Sequence, residues 1–460
     1  MVGGISTADS GDKVSEIVGR IERLPATIWQ VKARLIVGVA TFFDAFDGLI
    51  IASALSVLMP AWHLKPQQAG FLISSGFLGQ MIGAIFFGWL AERYGRLRTT
   101  ILTILVYSVF SFLCAASWDY TSLFLFRLMQ GFGLGGEVPV AASYINEITK
   151  AKGRGRFVLL YELVFPLGLL AAAFAGYWIV PRFGWRWLFI VGGLPALLAV
   201  YLRWPLPESP RWLATMGRRD EAEKAMCKIE QQVKKAFKAE LPEARPVAVS
   251  QAANKRSRVK ELFQGIYLRR TILVWVIWFS VYLPVFGTMT WLPTIYRTVF
   301  KLSLSNALLY STAVNCAGLV GTFCAAMLID RIGRRAWITM AFFCGACFLI
   351  GLWLSGAKTA LQVLFFSTGA QLFFSSVSIS VYLYTPELYP TRLRAVGVSI
   401  ASAWLRVASM IGPIIVGTVL AHYTLSWAFL MFAIVAVAGG LVTGLFGIET
   451  KGKVLEEISP

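Results

Sequence analysis

The sequence has little charge and few of the side chains that carry acid–base or metal chemistry. Only 15% of its 460 residues are charged and only two are histidines, whereas an ordinary globular protein carries about 25% charge. So little charge excludes a soluble globular protein. His63 and His422 cannot by themselves build a nucleophile–base pair or a metal centre. We therefore predict neither an enzyme, nor a metal site, nor a cofactor.

Signals of a secreted or glycosylated protein are missing as well. None of the four asparagines begins an N-x-S/T sequon, and the six cysteines show no metal-ligand spacing. The first thirty residues are polar and contain no separate apolar core, so we expect the first membrane span to act as the targeting signal. These features favour a multi-pass protein of the bacterial inner membrane.

Apolar residues dominate what remains. They make up 57% of the chain and fall into blocks of roughly 20, each long enough to cross a hydrocarbon core of ~30 Å. The predicted spans lie near 34–59, 68–91, 99–117, 121–147, 157–180, 185–203, 271–297, 305–328, 336–355, 360–388, 394–421 and 425–447. We predict an all-α membrane protein with twelve transmembrane helices in two six-helix bundles, 34–203 and 271–447. An arm (1–33), a loop (204–270) and a tail (448–460) complete the chain.

The net charge of +19 is a signal of membrane topology. If the N-terminus is cytoplasmic, the cytoplasmic segments hold 34 lysines and arginines and the outer loops hold 6. This bias places both termini in the cytoplasm. The basic residues lie between apolar blocks and not on one amphipathic face, so we expect no nucleic-acid partner.

Loop motifs recur in the two halves. The sequence GWLAERYGR at Gly88–Arg96 is echoed 238 residues later by AMLIDRIGR. Glu147 precedes Arg154 by seven residues, as Glu387 precedes Arg394, and Glu208 in PESPRWL matches Glu449 in ETKGK. Three loop pairs at nearly one period indicate a duplicated six-helix unit.

These motifs resemble those of the major facilitator superfamily over nearly the whole chain. PESPRWL, PELYPTRLRAVG and ETKGKVLEEI are similar to signatures of sugar porters and of metabolite:proton symporters, which include synaptic-vesicle-glycoprotein-like and organic-ion transporters. FFDAFDGLI, GLGGEVPVAASYINE and GRGRFVLLYE resemble bacterial niacin (nicotinate) transporters of that symporter branch. Glu92 replaces a usual aspartate, Ala326 replaces a glycine, and span seven lacks paired glutamines, which argues against a sugar substrate.

Buried carboxylates are the predicted proton-coupling groups. Asp44 and Asp47 would lie about 15 and 20 Å deep in span one, and their i, i+3 spacing puts both on one helix face. A charge at this depth needs a partner or a wet cavity. We predict proton binding by Asp44 and Asp47, with Arg127 as a member of the proton-coupling group, and the resemblance adds Glu137. The alternatives are that one aspartate only pairs with Arg127 or caps a helix break, and that Glu137 forms an interhelical ion pair.

Arg406 is the predicted anion site. It lies roughly 20 Å deep in span eleven, too far from the interface for snorkelling, in a segment that resembles span eleven of organic-anion transporters. The resemblance implies that its guanidinium faces the substrate, where it could hold a carboxylate by two hydrogen bonds. The alternative is a permanent ion pair with an acid of the same bundle. Further predicted substrate contacts are Gln371, Asn315, Tyr382, Trp275 and Asp47.

The charged loop motifs are predicted to form a cytoplasmic gate. Acid–base pairs in these loops could tie the halves together when the cavity opens outward. The expected pairs are Glu92 with Arg96, Asp330 with Arg334, Glu147 with Arg154, and Glu387 with Arg394. The predicted gate residues are Glu92, Arg93, Arg96, Asp330, Arg331, Arg334, Glu147, Arg154, Glu387 and Arg394.

The function implied is a proton-coupled secondary importer of a small aromatic carboxylate that works as a monomer, with nicotinate as the leading substrate. Another aromatic acid such as hydroxybenzoate, or drug/proton exchange, is the alternative. A buried guanidinium would repel cationic drugs, which argues against the exchanger.

Overall fold

The computed structural model describes residues 7–25, 28–148, 164–195, 206–237, 242–243 and 259–451, and these residues form helices and short turns. In the first half the helices are α1 (Thr7–Glu22), α2 (Ile28–Ala61), α3 (Pro66–Tyr94), α4 (Arg96–Ala115), α5 (Tyr120–Ile148), α6 (Val164–Phe183) and α7 (Arg186–Gly193). The connecting loop contributes α8 (Pro210–Thr215) and α9 (Arg219–Phe237). The second half contains α10 (Gly265–Thr298), α11 (Leu304–Ile332), α12 (Arg334–Leu354), α13 (Ala360–Glu387), α14 (Thr391–His422) and α15 (Leu425–Phe446).

Most helix bounds follow the apolar blocks. Within the described residues, ten helices are long and apolar enough to cross a membrane. The 29-residue α5 matches the predicted fourth span in its bounds. The eight-residue α7 covers only the start of the predicted sixth span, whose remainder lies outside the described residues. The helical membrane fold is thus established, whereas the count of twelve spans stays a prediction.

Corresponding helices pack in the same way in the two halves. In the first half α3 packs on α5, α2 on α6 and α4 on both α5 and α7. In the second half α11 packs on α13, α10 on α14 and α12 on both α13 and α15. The six-helix unit that the loop motifs predict is therefore present twice.

The repeat is most exact where two short helix connections are capped by carboxylates. Glu208 accepts hydrogen bonds from the backbone N–H of Arg96 (2.9 Å) and Leu97 (3.0 Å) at the start of α4. Glu449 does the same at the start of α12, from Arg334 (2.8 Å) and Arg335 (3.1 Å). A carboxylate at these positions satisfies the free N–H groups and favours the helix dipole.

Glycine is required at both connections. Gly95 and Gly333 adopt φ angles of 111° and 106°, a region that favours glycine. A Cβ at either position would overlap the capping carboxylate of Glu208 or Glu449. We call the end of the bundle that carries these two turns the motif end. The opposite end, at His63 and His422, is the far end.

Close backbone contact holds α3 against α5. A Cβ on Gly131 would overlap the carbonyl oxygen of Gly76, and one on Gly135 would overlap that of Gln80. Gly79 and Gly83 of α3 approach the backbone of α5 in the same way. Such small residues at four-residue spacing let membrane helices approach closely, where van der Waals contact stabilises them.

The two halves meet mainly toward the far end. There α3 packs on α14, α2 on α10 and α6 on α11. Ser74 donates a hydrogen bond to the carbonyl of Met410 (2.6 Å), and Gln67 lies 3.0 Å from the His422 ring nitrogen. The contact leaves room between the halves toward the motif end.

A second core joins α1, α8 and α9 to buried residues of α4 and α5. Apolar residues of α1 pack against the buried faces of α8 and α9. Arg20 of α1 forms ion pairs with Glu223 and Glu230 of α9, both at 2.7 Å. These bonds outweigh the cost of burial and hold the pKa of Glu230 below its usual range. Part of the predicted loop 204–270 is thus the docked helix α9.

Gly135→Ala should destabilise the bundle, because its methyl group would push α5 away from the backbone of α3. We expect a loss of about 1–3 kcal/mol, seen as a lower melting temperature in detergent. Gly88→Ala in α3 is the matched control, since a Cβ there meets nothing within 4 Å. Equal melting temperatures for the two variants would contradict the close approach of α3 and α5.

Glu449→Gln should cost about 1 kcal/mol of stability, the usual value of a helix cap. Burial opposes ionisation of Glu449, but hydrogen bonds from backbone N–H groups, including that of Arg334, prevail and hold its pKa below the ordinary 4.5. The stabilisation is therefore complete above pH 4.5 and lost as the pH falls through the lowered pKa. Melting curves of both proteins should converge at acid pH, and a pH-independent difference would refute this role.

Candidate functional site

A buried ion pair connects α2 and α5 in the first half. Nη1 of Arg127 lies 2.9 Å from Oδ2 of Asp47, and the two residues are only 2% and 1% exposed. Gln130 donates a hydrogen bond of 2.5 Å to Oδ1 of Asp47 and accepts one of 2.9 Å from Nη1 of Arg127. The carboxylate is thus bonded through both oxygens.

Neighbouring residues fix the guanidinium in this position. A Cβ on Gly76 would lie 2.8 Å from Nη2 of Arg127, so glycine leaves the space that the guanidinium fills. The guanidinium also lies 5.9 Å from the ring centroid of Phe189, within the range of a cation–π contact. Sequence reasoning missed Gln130, although its i+3 position relative to Arg127 places the two on one helix face.

Glu137 lies deeper toward the motif end of α5 and is fully buried. Neither of its carboxylate oxygens has a hydrogen-bond partner among the described residues. Asp44 and the buried Tyr107 are close enough to interact with it electrostatically. Within the part of the chain that the structure describes, Glu137 therefore forms no interhelical ion pair with an arginine.

Asp44 and Arg406 face each other across the interface between the halves. Asp44 lies on α2 and Arg406 on α14, and their opposite charges attract each other. The described residues give Arg406 no ion pair within 4.0 Å, and its buried Nε has no hydrogen-bond partner. Oδ1 of Asp44 is also buried without a partner. Arg406 is therefore not locked to an acid of its own bundle within the described residues.

A cavity lies between the halves, toward the motif end. It encloses about 630 Å³ that no protein atom occupies, including its open mouth. Asn315 and Gln371 contribute amides to its wall, and Tyr282, Tyr382 and Phe286 contribute rings. Its largely apolar lining with a few polar groups is typical of a small-molecule site.

A second, smaller cavity lies nearer the far end. It encloses about 230 Å³ and shares Met289 and Asn315 with the first cavity. Ser53, Ser311 and Thr312 add polar groups to its wall. Asn315 and Met289 thus lie between the two cavities.

The loop motifs form one ion-pair cluster in each half. Arg96 pairs with Glu92 (2.9 Å) and Glu147 (3.1 Å). In the second half Arg334 pairs with Asp330 (2.8 Å) and Glu387 (3.3 Å). These pairs stabilise connections within a half in this conformation and do not join the halves.

The other predicted gate residues differ from expectation. Arg394 donates a hydrogen bond to the carbonyl of Pro386 (3.0 Å) instead of pairing with Glu387, because α14 starts just after α13 ends and its basic side chain reaches the free carbonyls there. Arg93 stacks on Trp89 at 5.7 Å. The carbonyl of Arg331 accepts a hydrogen bond from Lys451. Arg154 lies outside the described residues.

The residues described contain no group of His, Cys, Asp and Glu that could hold a metal ion. The chemistry of the site therefore comes from carboxylates, guanidinium groups, amides and aromatic rings.

Comparisons with known proteins agree with this architecture. The family model of the sugar (and other) transporters matches residues 37–460. The chain belongs to this family of the major facilitator superfamily. The transporter is 35% identical to the niacin transporter NiaP of Acinetobacter baylyi over 96% of this chain and 99% of the relative. It is 31% identical to a Bacillus subtilis protein provisionally named niacin/nicotinamide transporter NiaP, over 93% of this chain and 98% of the relative.

A solved structure has the same fold. The proton:xylose symporter XylE matches with a TM-score of 0.71 and 20% identity, over 94% of this chain and 98% of XylE. From the family match and the two relatives, the protein is a multi-pass transporter of the cell membrane and not an enzyme.

The structure brings together only some of the residues predicted to contact the substrate. Asn315, Gln371 and Tyr382 line the larger cavity of the transporter. Asp47 is enclosed with Arg127, and Trp275 packs at 5.3 Å against Trp404. Neither these two nor Arg406 belongs to the walls of the two cavities described here.

Replacing Arg127 by Met should destabilise the transporter by about 3–5 kcal/mol, because Asp47 would remain buried without its counter-ion. The double variant Asp47→Asn, Arg127→Met removes both charges and should recover part of this loss. Thermal unfolding of purified protein measures both effects. A double variant as unstable as the sum of the two single variants would contradict the ion pair.

Proposed function

We propose that the protein is a proton-coupled secondary importer of a small aromatic carboxylate, with nicotinate as the first candidate. It would work as a monomer by alternating access, with twelve spans and both termini in the cytoplasm. The similarity to two proteins named as niacin transporters supports the substrate class. The observation that carries the proposal is the unpaired Arg406 beside the interface between the halves.

Arg406 is the proposed anion-binding group. Arg406 is partly buried, and its buried Nε has no hydrogen-bond partner among the described residues. A substrate carboxylate would supply the missing counter-charge through two parallel hydrogen bonds. Arg406 does not line the larger cavity in this conformation, so the proposal requires a modest rearrangement of α14 when the substrate enters. Its electrostatic attraction to Asp44 gives the substrate a competitor at the same position.

That competition offers a coupling mechanism. If Asp44 takes up a proton, its attraction for Arg406 vanishes and the guanidinium becomes available to an anion. Glu137, buried without a partner near Asp44, would extend the route for the proton. The Asp47–Arg127 pair would respond to the charge at Asp44, because the two aspartates repel each other.

Alternating access follows from the contacts between the halves. The halves are joined toward the far end, and the larger cavity lies toward the motif end. In the predicted topology the motif end is cytoplasmic, so this conformation would be inward-facing. Rocking of one half against the other would close the cavity. The clusters around Arg96 and Arg334, now separate, are the proposed partners in a cytoplasmic gate, together with Arg154 and Arg394.

A hydroxybenzoate or a related aromatic acid is the second candidate substrate, since the cavity wall carries two amides besides its aromatic rings. Drug/proton exchange is a third possibility, which preferential binding of organic cations by the protein would favour. The positive charge of Arg406 argues against it.

Purified protein in liposomes should accumulate labelled nicotinate when the outside is more acidic. One proton with a monovalent anion is electroneutral, so accumulation should reach about tenfold per pH unit and should not respond to a potassium diffusion potential. Asp44→Asn should abolish uphill accumulation, whereas the surface control Asp220→Asn should not. Retained accumulation in Asp44→Asn would remove that residue from coupling.

The same preparation tests the anion site. Arg406→Lys keeps the charge but loses the bidentate geometry, so we expect nicotinate affinity to fall at least about tenfold. Arg182→Lys, at an exposed position near the far end, is the matched control. Unchanged affinity in Arg406→Lys, or thermal stabilisation only by organic cations, would contradict anion transport.

A further inference from the structure

The wall of the larger cavity has used most of its hydrogen-bond donors on protein atoms. Nδ2 of Asn315 donates to the carbonyl of Ser311 (2.8 Å). Nε2 of Gln371 donates to Oγ of Ser375 (2.9 Å) and to the sulfur of Met289 (3.0 Å). Both N–H groups of Gln371 and one of the two N–H groups of Asn315 are therefore engaged.

These partners also fix which way each amide points. A backbone carbonyl and a thioether sulfur accept hydrogen bonds but cannot donate them to an amide. Nitrogen, and not oxygen, must therefore face Ser311 and Met289, so the usual uncertainty between amide nitrogen and oxygen is removed here. Gly318 makes the arrangement possible, because a Cβ there would lie 2.8 Å from Oγ of Ser375 and 3.3 Å from Nε2 of Gln371.

Hydroxyl donors of the wall are engaged in the same way. Thr322 donates to the carbonyl of Gly318 (3.0 Å) and Ser378 to that of Phe374 (2.9 Å). Tyr282 donates to the carbonyl of Ser378 (3.2 Å). What these side chains leave for a ligand is acceptor capacity.

One acceptor in this wall is left without a partner. Oδ1 of Asn315 is buried and forms no hydrogen bond with any described residue, and Asn315 as a whole is 7% exposed. The residue Asn315 belongs to the wall that the two cavities share. A buried acceptor without a donor is costly. A ligand that supplies an N–H or O–H group to it should therefore bind more tightly than an otherwise equal ligand without one.

We propose that Asn315, with Gln371 beside it, is a specificity site that selects aromatic ligands carrying a hydrogen-bond donor on the ring or its substituent. The inference deepens the proposed function. It rests on that function for the claim that the ligand carries a carboxylate, but the requirement for a hydrogen-bond donor is independent of it. A ring hydroxyl or a carboxamide meets the requirement at any pH. Nicotinate meets it only when its ring nitrogen carries a proton, because the bare nitrogen is itself an acceptor.

Two ligand pairs test the donor requirement. Among acids, 3-hydroxybenzoate should bind about ten times more tightly than benzoate. Among neutral ligands of similar size, nicotinamide should bind about ten times more tightly than methyl nicotinate, which has no donor. A site built to bond a substrate donor discriminates strongly against the analogue that lacks it. Affinities are read by competition with labelled nicotinate and by thermal shift of the purified protein.

Asn315→Leu removes the acceptor at similar volume, so both affinity ratios should fall to about one while benzoate and methyl nicotinate still bind. Because each ratio compares two ligands on the same variant, losses of yield or stability cancel. Thr443→Val, which removes a buried hydroxyl from α15, is the matched control and should keep both ratios. Ratios near one in the unaltered protein, or ratios unchanged by Asn315→Leu, would overturn the inference.

The two pairs also separate this inference from the proposed function. If nicotinate and both benzoates fail to bind but nicotinamide is preferred over methyl nicotinate and Asn315→Leu removes the preference, anion transport falls and the donor site stands. If the acids bind without regard to the hydroxyl group, anion transport stands and the donor site falls. If neither nicotinate nor any of the four test ligands binds, both are refuted.

Discussion

A charged side chain inside an apolar bundle must be paired with a protein group, hydrated or neutralised by a bound ligand. The arrangement of this site follows from that constraint. Asp47 and Arg127 satisfy it by pairing, with Gln130 bonded to both. No described residue forms an ion pair with Arg406, and its Nε has no hydrogen-bond partner. The first pair stabilises the half to which it belongs, whereas Arg406 is held in a condition that a negatively charged ligand would relieve.

The two halves divide these tasks between them. The first half contains the acids Asp44, Asp47 and Glu137 on α2 and α5, and the second contains Arg406 on α14 and the amide wall on α11 and α13. Asp44 and Arg406 attract each other across the interface, so a proton on one half would change the charge balance that the other half meets. In the proposed mechanism, proton and anion are coupled because both sites lie at the interface between the halves.

Glycines let the helices pack closely and leave just the space that the polar side chains fill. Gly131 and Gly135 bring α5 against α3, and Gly76 leaves the space that the Arg127 guanidinium fills. Gly318 of α11 leaves space for Gln371 of α13, whose N–H groups donate to Ser375 on the same helix and to Met289 on α10. The same small residues that bring the helices together therefore also determine which polar atoms remain free for a ligand.

Length, hydropathy and charge along the chain were enough to predict the membrane class and most helix bounds, because a membrane span is defined by its own apolar length. The loop repeat was also readable, since Gly95 and Gly333, with Glu208 and Glu449, serve local turns whose geometry needs those residue types. The family could be recognised from the same motifs. Residue types alone also indicated that Asp44, Arg127 and Arg406 need a partner or a water-filled cavity, because a charged side chain is costly in a bilayer.

Only the tertiary structure decided which partner each of these groups has. Asp47 could have faced a cavity or Arg127, and Gln130 could have faced lipid, because rotation of a helix about its axis and its neighbours are not fixed by its own sequence. Arg394 was expected to pair with Glu387 but reaches the end of α13 instead, and Arg96 gathers Glu92 and Glu147 within one half. Spans follow from local composition, whereas pairing and cavity walls follow from contacts between residues far apart in the chain.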